Sequence, residues 1–156
     1  LLNQPKPKYL ETKNNYNKKY YIGIVRDPFK RVCSWYNNVI NDKYHQERTF
    51  YQRGMGLFEF IIKNENSLPL KPMTYWFTNW KEELVIDNYI KNESLEIDLN
   101  RILVKFKLNK VSLDYVNKSK NNYEYKKLLD KNSVEWILNK HLKDFENFGY
   151  SKDINL

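Results

Sequence analysis

Cysteine is nearly absent from this chain. Cys33 stands alone, so no internal disulfide can staple the fold, and its place on an apolar helical stripe reads as a buried structural thiol. A reducing compartment fits that usage best, which points to the cytoplasm. Long apolar runs are missing too: nothing approaches the roughly 18 residues of a membrane-spanning helix, and no signal peptide is visible. Histidine occurs twice, as His45 and His141, and no metal site is expected. Disorder is excluded by what the chain does have, 41% hydrophobic and 16% aromatic residues, which argue for a packed globule. Its net charge of +8 favours an anionic partner without choosing among nucleic acid, an acidic polysaccharide, a membrane surface and a multiply charged nucleotide.

One stretch organises the rest. Tyr21, Ile22, Ile24 and Val25 form a short β-branched and aromatic run, the pattern of a strand covered on both faces. Asp27 then suits a helix N-cap and Pro28 the first helical position, and Phe29, Val32, Cys33, Tyr36, Val39 and Ile40 recur at helical spacing as a core-facing stripe. Arg31 and Ser34 are helical neighbours, three apart, and Arg26 waits at the strand's carboxyl end, where ligands bind in open α/β sheets. Two guanidinium forks and a hydroxyl suit a phosphate. Ser34 lies roughly 9 Å along the helix at about 1.5 Å per residue, so Arg26 must reach toward it. The alternative is plain structure: Asp27 caps the helix and pairs with Arg31 for a few tenths of a kcal/mol.

Arg26-Asp27-Pro28-Phe29-Lys30-Arg31, followed by Ser34, resembles the motif by which sulfotransferases hold the 3′-phosphate of PAPS (3′-phosphoadenosine 5′-phosphosulfate). It is most similar to the carbohydrate sulfotransferases of the Golgi type and their bacterial relatives. Later segments resemble that family in order and rough spacing: Pro72-Met73-Thr74-Tyr75, Asp87 with Asn92-Glu93-Ser94-Leu95 and Asp98, Asn117-Lys118-Ser119-Lys120, and Asp144 to Tyr150. The resemblance implies an α/β, P-loop-NTPase-like fold, a parallel sheet flanked by helices. It implies PAPS as cofactor, a carbohydrate acceptor, and 3′-phosphate contacts from Arg26 and Ser34, with Arg31, Lys118 and Ser119 as further cofactor-binding candidates. The Golgi lumen becomes the alternative compartment if a membrane anchor lies outside the sequence.

The same resemblance implies a Gly- and Ser/Thr-containing loop that cradles the 5′-phosphosulfate, and here the chain departs from the pattern. Its four glycines stand at 23, 54, 56 and 149, none in such a loop. The N-terminal phosphate-loop unit is therefore expected to be lacking. A first residue of Leu1 rather than Met suggests a truncated or processed chain, and 156 residues are few for a complete nucleotide-dependent transferase. No catalytic residue is assigned, and the chain alone is expected to be inactive.

Residues 1–19, polar and basic, read as a connecting segment, residues 20–151 as a partial sulfotransferase domain and 152–156 as a tail. Tyr9, Tyr16 and Tyr20 among lysines support the competing class, a basic nucleic-acid-binding module; an inactive nucleotide-binding relative is the other alternative. Asn41 to Gly56 reads as a mobile loop or lid, with His45 an exposed residue or, less so, a general base. A short helix follows around Leu57 to Ile62, then a turn-rich break at 67–72 and an aromatic patch from Met73 to Trp80. Met73 stands where the family often has Gln, so packing is expected of it rather than a polar contact. Glu83–Asp87 reads as a strand, and Glu93 with Asp98 as the start of a helix with Leu95, Leu99, Ile102, Leu103 and Phe106 on its apolar face. A final helix is expected with Asn132 and Glu135 as its capping box, Val134, Ile137, Leu138, Leu142 and Phe145 facing inward, His141 as a cation near its end and Gly149 as its stop.

Overall fold

The structure, a computed structural model, describes residues 19–114 and 124–154. Its elements in chain order are β1 (Ile22–Val25), α1 (Pro28–Asn41), α2 (Lys43–Gln46), α3 (Leu57–Asn64), α4 (Met73–Phe77), β2 (Asn88–Lys91), α5 (Leu95–Lys105), α6 (Lys131–Lys140) and α7 (Leu142–Phe148), with single 3-10 turns at 68–70, 92–94 and 125–128. They form two units. The first takes the described residues 19–26 and 73–114, the second 27–72 and 124–154.

In the first unit β1 and β2 pair in parallel, Ile22 opposite Asn88 and Ile24 opposite Ile90. Asp87 sets that register: its carboxylate accepts the Tyr21 N–H at 2.8 Å while its own N–H donates to the Tyr21 carbonyl at 2.8 Å. Gly23 is required by close approach, since a Cβ there would fall 2.9 Å from Ile86 Cδ1 and 3.2 Å from the Phe77 ring. Val25, Met73, Val85, Ile90 and Ile102 are buried around this contact.

Three expectations fail here. The strand is not Glu83–Asp87 but Asn88–Lys91, because Asn79 folds the preceding segment back on itself: its side-chain oxygen accepts the Lys81 and Glu83 N–H groups, and Thr78 bridges Leu84. Nor is β1 covered on both faces. Gly23 and Val25 are buried, whereas Ile22 and Ile24 are exposed, so within this unit the strand follows the alternating pattern of a half-covered sheet. Helix α5 packs on β2 with Ile102 buried, but Phe106, expected on its apolar face, lies beyond the helix and is exposed.

The second unit is built on α1. Asp27 accepts the Lys30 N–H at 3.0 Å and Pro28 opens the helix, as expected, and Phe29, Val32, Cys33, Tyr36 and Val39 are buried. Phe29 meets Phe145 of α7 with ring centroids 5.3 Å apart, and Tyr36 meets Phe60 of α3 at 5.4 Å. Each such ring contributes about 1.5 to 3 kcal/mol on burial.

Segment 41–56 departs from the expected mobile loop. It holds α2 and is fixed at two points, the Phe50 N–H on the Asn64 side chain at 3.0 Å and the Met55 carbonyl on the Tyr36 hydroxyl. The final helix departs too, splitting at His141 into α6 and α7 and leaving Leu142 exposed. Its capping box is Asp130 with Ser133, not Asn132 with Glu135: Asp130 accepts the Ser133 N–H at 2.7 Å, and the Ser133 hydroxyl accepts the Asp130 N–H at 2.9 Å. Gly149 ends α7 in the left-handed conformation at φ 62°, as expected.

That reassigned cap is directly checkable. Asp130→Ala is expected to lower stability by about 1 kcal/mol. Asn132→Ala, at an exposed position, is expected to stay within about 0.5 kcal/mol of the parent in urea unfolding followed by tryptophan fluorescence.

Candidate functional site

Arg26 closes the first unit at the carboxyl end of β1. Its backbone N–H donates to the Met73 sulfur at 3.2 Å, so Met73, 5% exposed, packs as expected and also makes the polar contact that was not expected of it. The Arg26 guanidinium has no hydrogen-bond or ion-pair partner among the described residues. Next along, Asp98 is structural: it accepts the Lys91 N–H at 3.0 Å and the Ser94 hydroxyl at 2.7 Å and pairs with Arg101 at 3.1 Å. Burial works to raise its pKa, yet those two hydrogen bonds and the neighbouring cations hold it below the ordinary carboxylate value.

Arg31 and Ser34 lie on α1 in the second unit, three residues apart and both half-buried. Arg31 Nη1 donates to the Lys71 carbonyl at 2.8 Å, which ties the segment before α4 to α1. Ser34 Oγ has no hydrogen-bond partner among the described residues. Lys118 and Ser119 lie outside the described residues, as do Tyr9 and Tyr16. Tyr20 is described, and its ring is already engaged, edge-on to Phe106 at 4.7 Å with Lys105 Nζ 5.6 Å from its centroid.

Both histidines differ from expectation. His45 sits on α2, not in an open loop, with its ring 5.1 Å from Trp35 and 5.4 Å from Tyr44 and its Nε2 3.7 Å from an Asp42 oxygen. His141 is not a helix-end cation. It is fully buried, and so is Asp144, whose Oδ2 lies 3.1 Å from His141 Nδ1. Burial dominates and lowers the His141 pKa; the Asp144 contact opposes this, and the charges of Arg31 and Lys140 reinforce it. The neutral ring therefore carries its proton on Nδ1 and donates to Asp144, leaving Nε2 buried with no partner among the described residues. The sequence carried a signal for this pair: His141, Asp144, Phe145 and Phe148 share one helical face, and the phenylalanines mark that face as buried. Among the described residues, no group of three or more His, Cys, Asp and Glu could hold a metal, and no helix is long and apolar enough to cross a membrane.

Set beside known proteins, residues 2–101 match the model of a family described as the sulfotransferase family. No curated protein and no solved structure matches the chain. The matched span includes Arg26, Arg31 and Ser34 and stops short of Lys118 and Ser119. A mixture of helices and a small parallel sheet is consistent with an α/β fold of that family.

The buried imidazole makes stability depend on pH in a stated direction. A His whose folded pKa is lowered takes up its proton more readily when unfolded. Its contribution is fully present above about 6.5 and is lost as the pH falls toward and through the lowered folded-state value. Urea midpoints measured from about pH 8 to about pH 5 should fall in the parent and lose that component in His141→Gln.

Proposed function

Since this chain belongs to the sulfotransferase family, we propose that it takes part in transfer of a sulfuryl group from PAPS to a hydroxyl of a carbohydrate acceptor. Arg26 and Ser34 anchor the cofactor's 3′-phosphate, and Arg31, Lys118 and Ser119 add donors to the same nucleotide. One observation carries this reading. In the motif that resembles the family's phosphate grip, the Arg26 guanidinium and the Ser34 hydroxyl are left without partners among the described residues, while Asp27 and Arg31 beside them are bonded to backbone. A permanently charged planar donor and a small hydroxyl fit a phosphate dianion, the former through paired N–H groups and the latter through a single bond.

When bound, PAPS supplies the activated sulfuryl group. The chain's own residues hold the far end of the nucleotide, and binding energy gained there orients the reacting end for in-line attack by the acceptor hydroxyl. The proton of that hydroxyl and the charge on the leaving 5′-phosphate need a base and further donors, and no residue of this chain is assigned to them. With none of its four glycines in a Ser/Thr-containing phosphate loop, residues 1–156 alone bind nucleotide without turnover.

Calorimetry should find adenosine 3′,5′-bisphosphate bound more tightly than adenosine 5′-monophosphate, with Arg26→Ala removing most of a difference of about 1.5 to 3 kcal/mol. Equal affinity for the two nucleotides would end the phosphate-anchor reading. Tight, salt-steep binding of single-stranded oligonucleotides that ignores Arg26→Ala would replace it with a nucleic-acid module. With labelled PAPS and a panel of sugar acceptors the expected outcome is binding without sulfate transfer; robust turnover abolished by His45→Ala would place the base on α2.

A further inference from the structure

Lys30, on α1, carries a charge that nothing around it answers. Its backbone N–H is committed to the Asp27 cap, but Nζ has no hydrogen-bond or ion-pair partner among the described residues. A lysine in that condition is ordinarily exposed and solvated, whereas Lys30 is half-buried. An aromatic face lies beside it: the 3-10 turn at 125–128 packs on α1, and Lys30 Nζ sits 5.9 Å from the centroid of the Tyr125 ring. That distance is the outer range of a cation–π attraction and leaves the three donors of the ammonium unused. The other lysine of known pairing here, Lys127 in the same turn, has its charge met by Glu124 at 2.5 Å.

Tyr125 is held in place, since it and Leu128 pack against the core of the second unit. Its hydroxyl has no hydrogen-bond partner among the described residues. Burial, and after it the charges of Asp27 and Cys33, push the phenol pKa up, so the hydroxyl keeps its proton and remains a donor. Those neighbours also locate it. Asp27, Lys30 and Cys33 follow one another three residues apart along one side of α1, and Ser34 stands one turn beyond Lys30. An ammonium, a phenol hydroxyl and the Ser34 hydroxyl thus share a side of the helix, all three half-buried and none with a partner among the described residues. One carboxylate, Asp27, faces the phenol; its Oδ1 accepts the Lys30 N–H, and Lys30 and Arg31 beside it leave the cluster net positive. Three donors around a positive centre suit a compact anion with three terminal oxygens, a phosphate monoester. A carboxylate has two oxygens and would leave one half-buried donor unmet.

We propose that Lys30 and Tyr125 form with Ser34 a phosphate grip on α1, which takes the 3′-phosphate of the nucleotide in the reading of the preceding subsection, on which this assignment rests. Lys30 supplies a second cation and Tyr125 a second hydroxyl. Because all three residues belong to the second unit, the grip is complete without Arg26, whose guanidinium adds to it.

The test titrates the whole chain by calorimetry with adenosine 3′,5′-bisphosphate, adenosine 5′-monophosphate and inorganic phosphate. Tyr125→Phe keeps the packed ring and removes only the hydroxyl, Lys30→Met keeps the stem and removes the charge, and Lys30→Arg restores a cation. Tyr125→Phe is expected to weaken the bisphosphate roughly fivefold and Lys30→Met roughly tenfold, with the monophosphate unchanged and Lys30→Arg close to the parent. Lys30→Met should also flatten the salt dependence of bisphosphate binding. Urea midpoints equal to the parent's show that the losses are of binding and not of fold. A bisphosphate preference that depends on Arg26 but survives intact in Lys30→Met and Tyr125→Phe overturns the grip and leaves the nucleotide reading standing. Equal weakening of both nucleotides overturns the 3′ assignment. No bisphosphate preference in the parent, with inorganic phosphate bound and weakened by both substitutions, ends the nucleotide reading and keeps the grip. Binding of neither nucleotide nor phosphate by the parent removes both.

Discussion

A single hydrogen bond sets the phase of the second unit: the Asp27 carboxylate accepting the Lys30 N–H at the start of α1. Beginning the helix at that residue decides which side chains turn inward. Phe29, Val32, Cys33, Tyr36 and Val39 all fall on the buried face, and Phe145 and Phe60 close over it from α7 and α3. The same phase leaves Arg31 and Ser34 half-buried at the edge of that face, where a side chain is positioned by packing yet open to a ligand. A start displaced by one residue would rotate every one of them by about 100°.

Side chains bonded to backbone do much of the work that longer elements perform in larger folds. Asp87 joins the two strands, Asp98 joins the end of β2 to α5, Asn79 turns the segment before β2, and Asn64 fixes the Phe50 loop. Asp27 and Asp130 begin α1 and α6. In a chain of net charge +8, the field of the whole surface favours an anionic partner over a neutral one.

The parts that were legible in the sequence are those where one local signal agrees with one periodicity. α1, α3 and the Gly149 stop each have a cap or breaker within a residue or two of a clear apolar stripe. What could not be read involved competition between neighbours. Asn132 and Glu135 satisfy the capping pattern as well as Asp130 and Ser133 do, and only the packed position of Ser133, fully buried, distinguishes them. Val85 and Ile90 are equally strand-like, and the choice between the segments that hold them is made by Asn79 and Asp87, through contacts that no residue-by-residue propensity contains. For the candidate site, the residue types at 26, 31 and 34 were apparent from the motif, but not that Arg31 would be bonded to Lys71 while the Ser34 hydroxyl has no partner among the described residues.

Cys33 turns out to be more than a packing residue. It is the protein's sole thiol, and it is fully buried in the α1 core of the second unit. A soluble alkylating reagent can reach it only when that core opens, so the labelling rate is an intrinsic clock for the opening. Because the first unit holds no thiol, the clock reads the stability of the second unit by itself, in a chain where tryptophan emission mixes Trp76 and Trp80 of one unit with Trp35 and Trp136 of the other. A ligand that binds through α1 would slow the clock in proportion to its occupancy, with no label or engineered residue added.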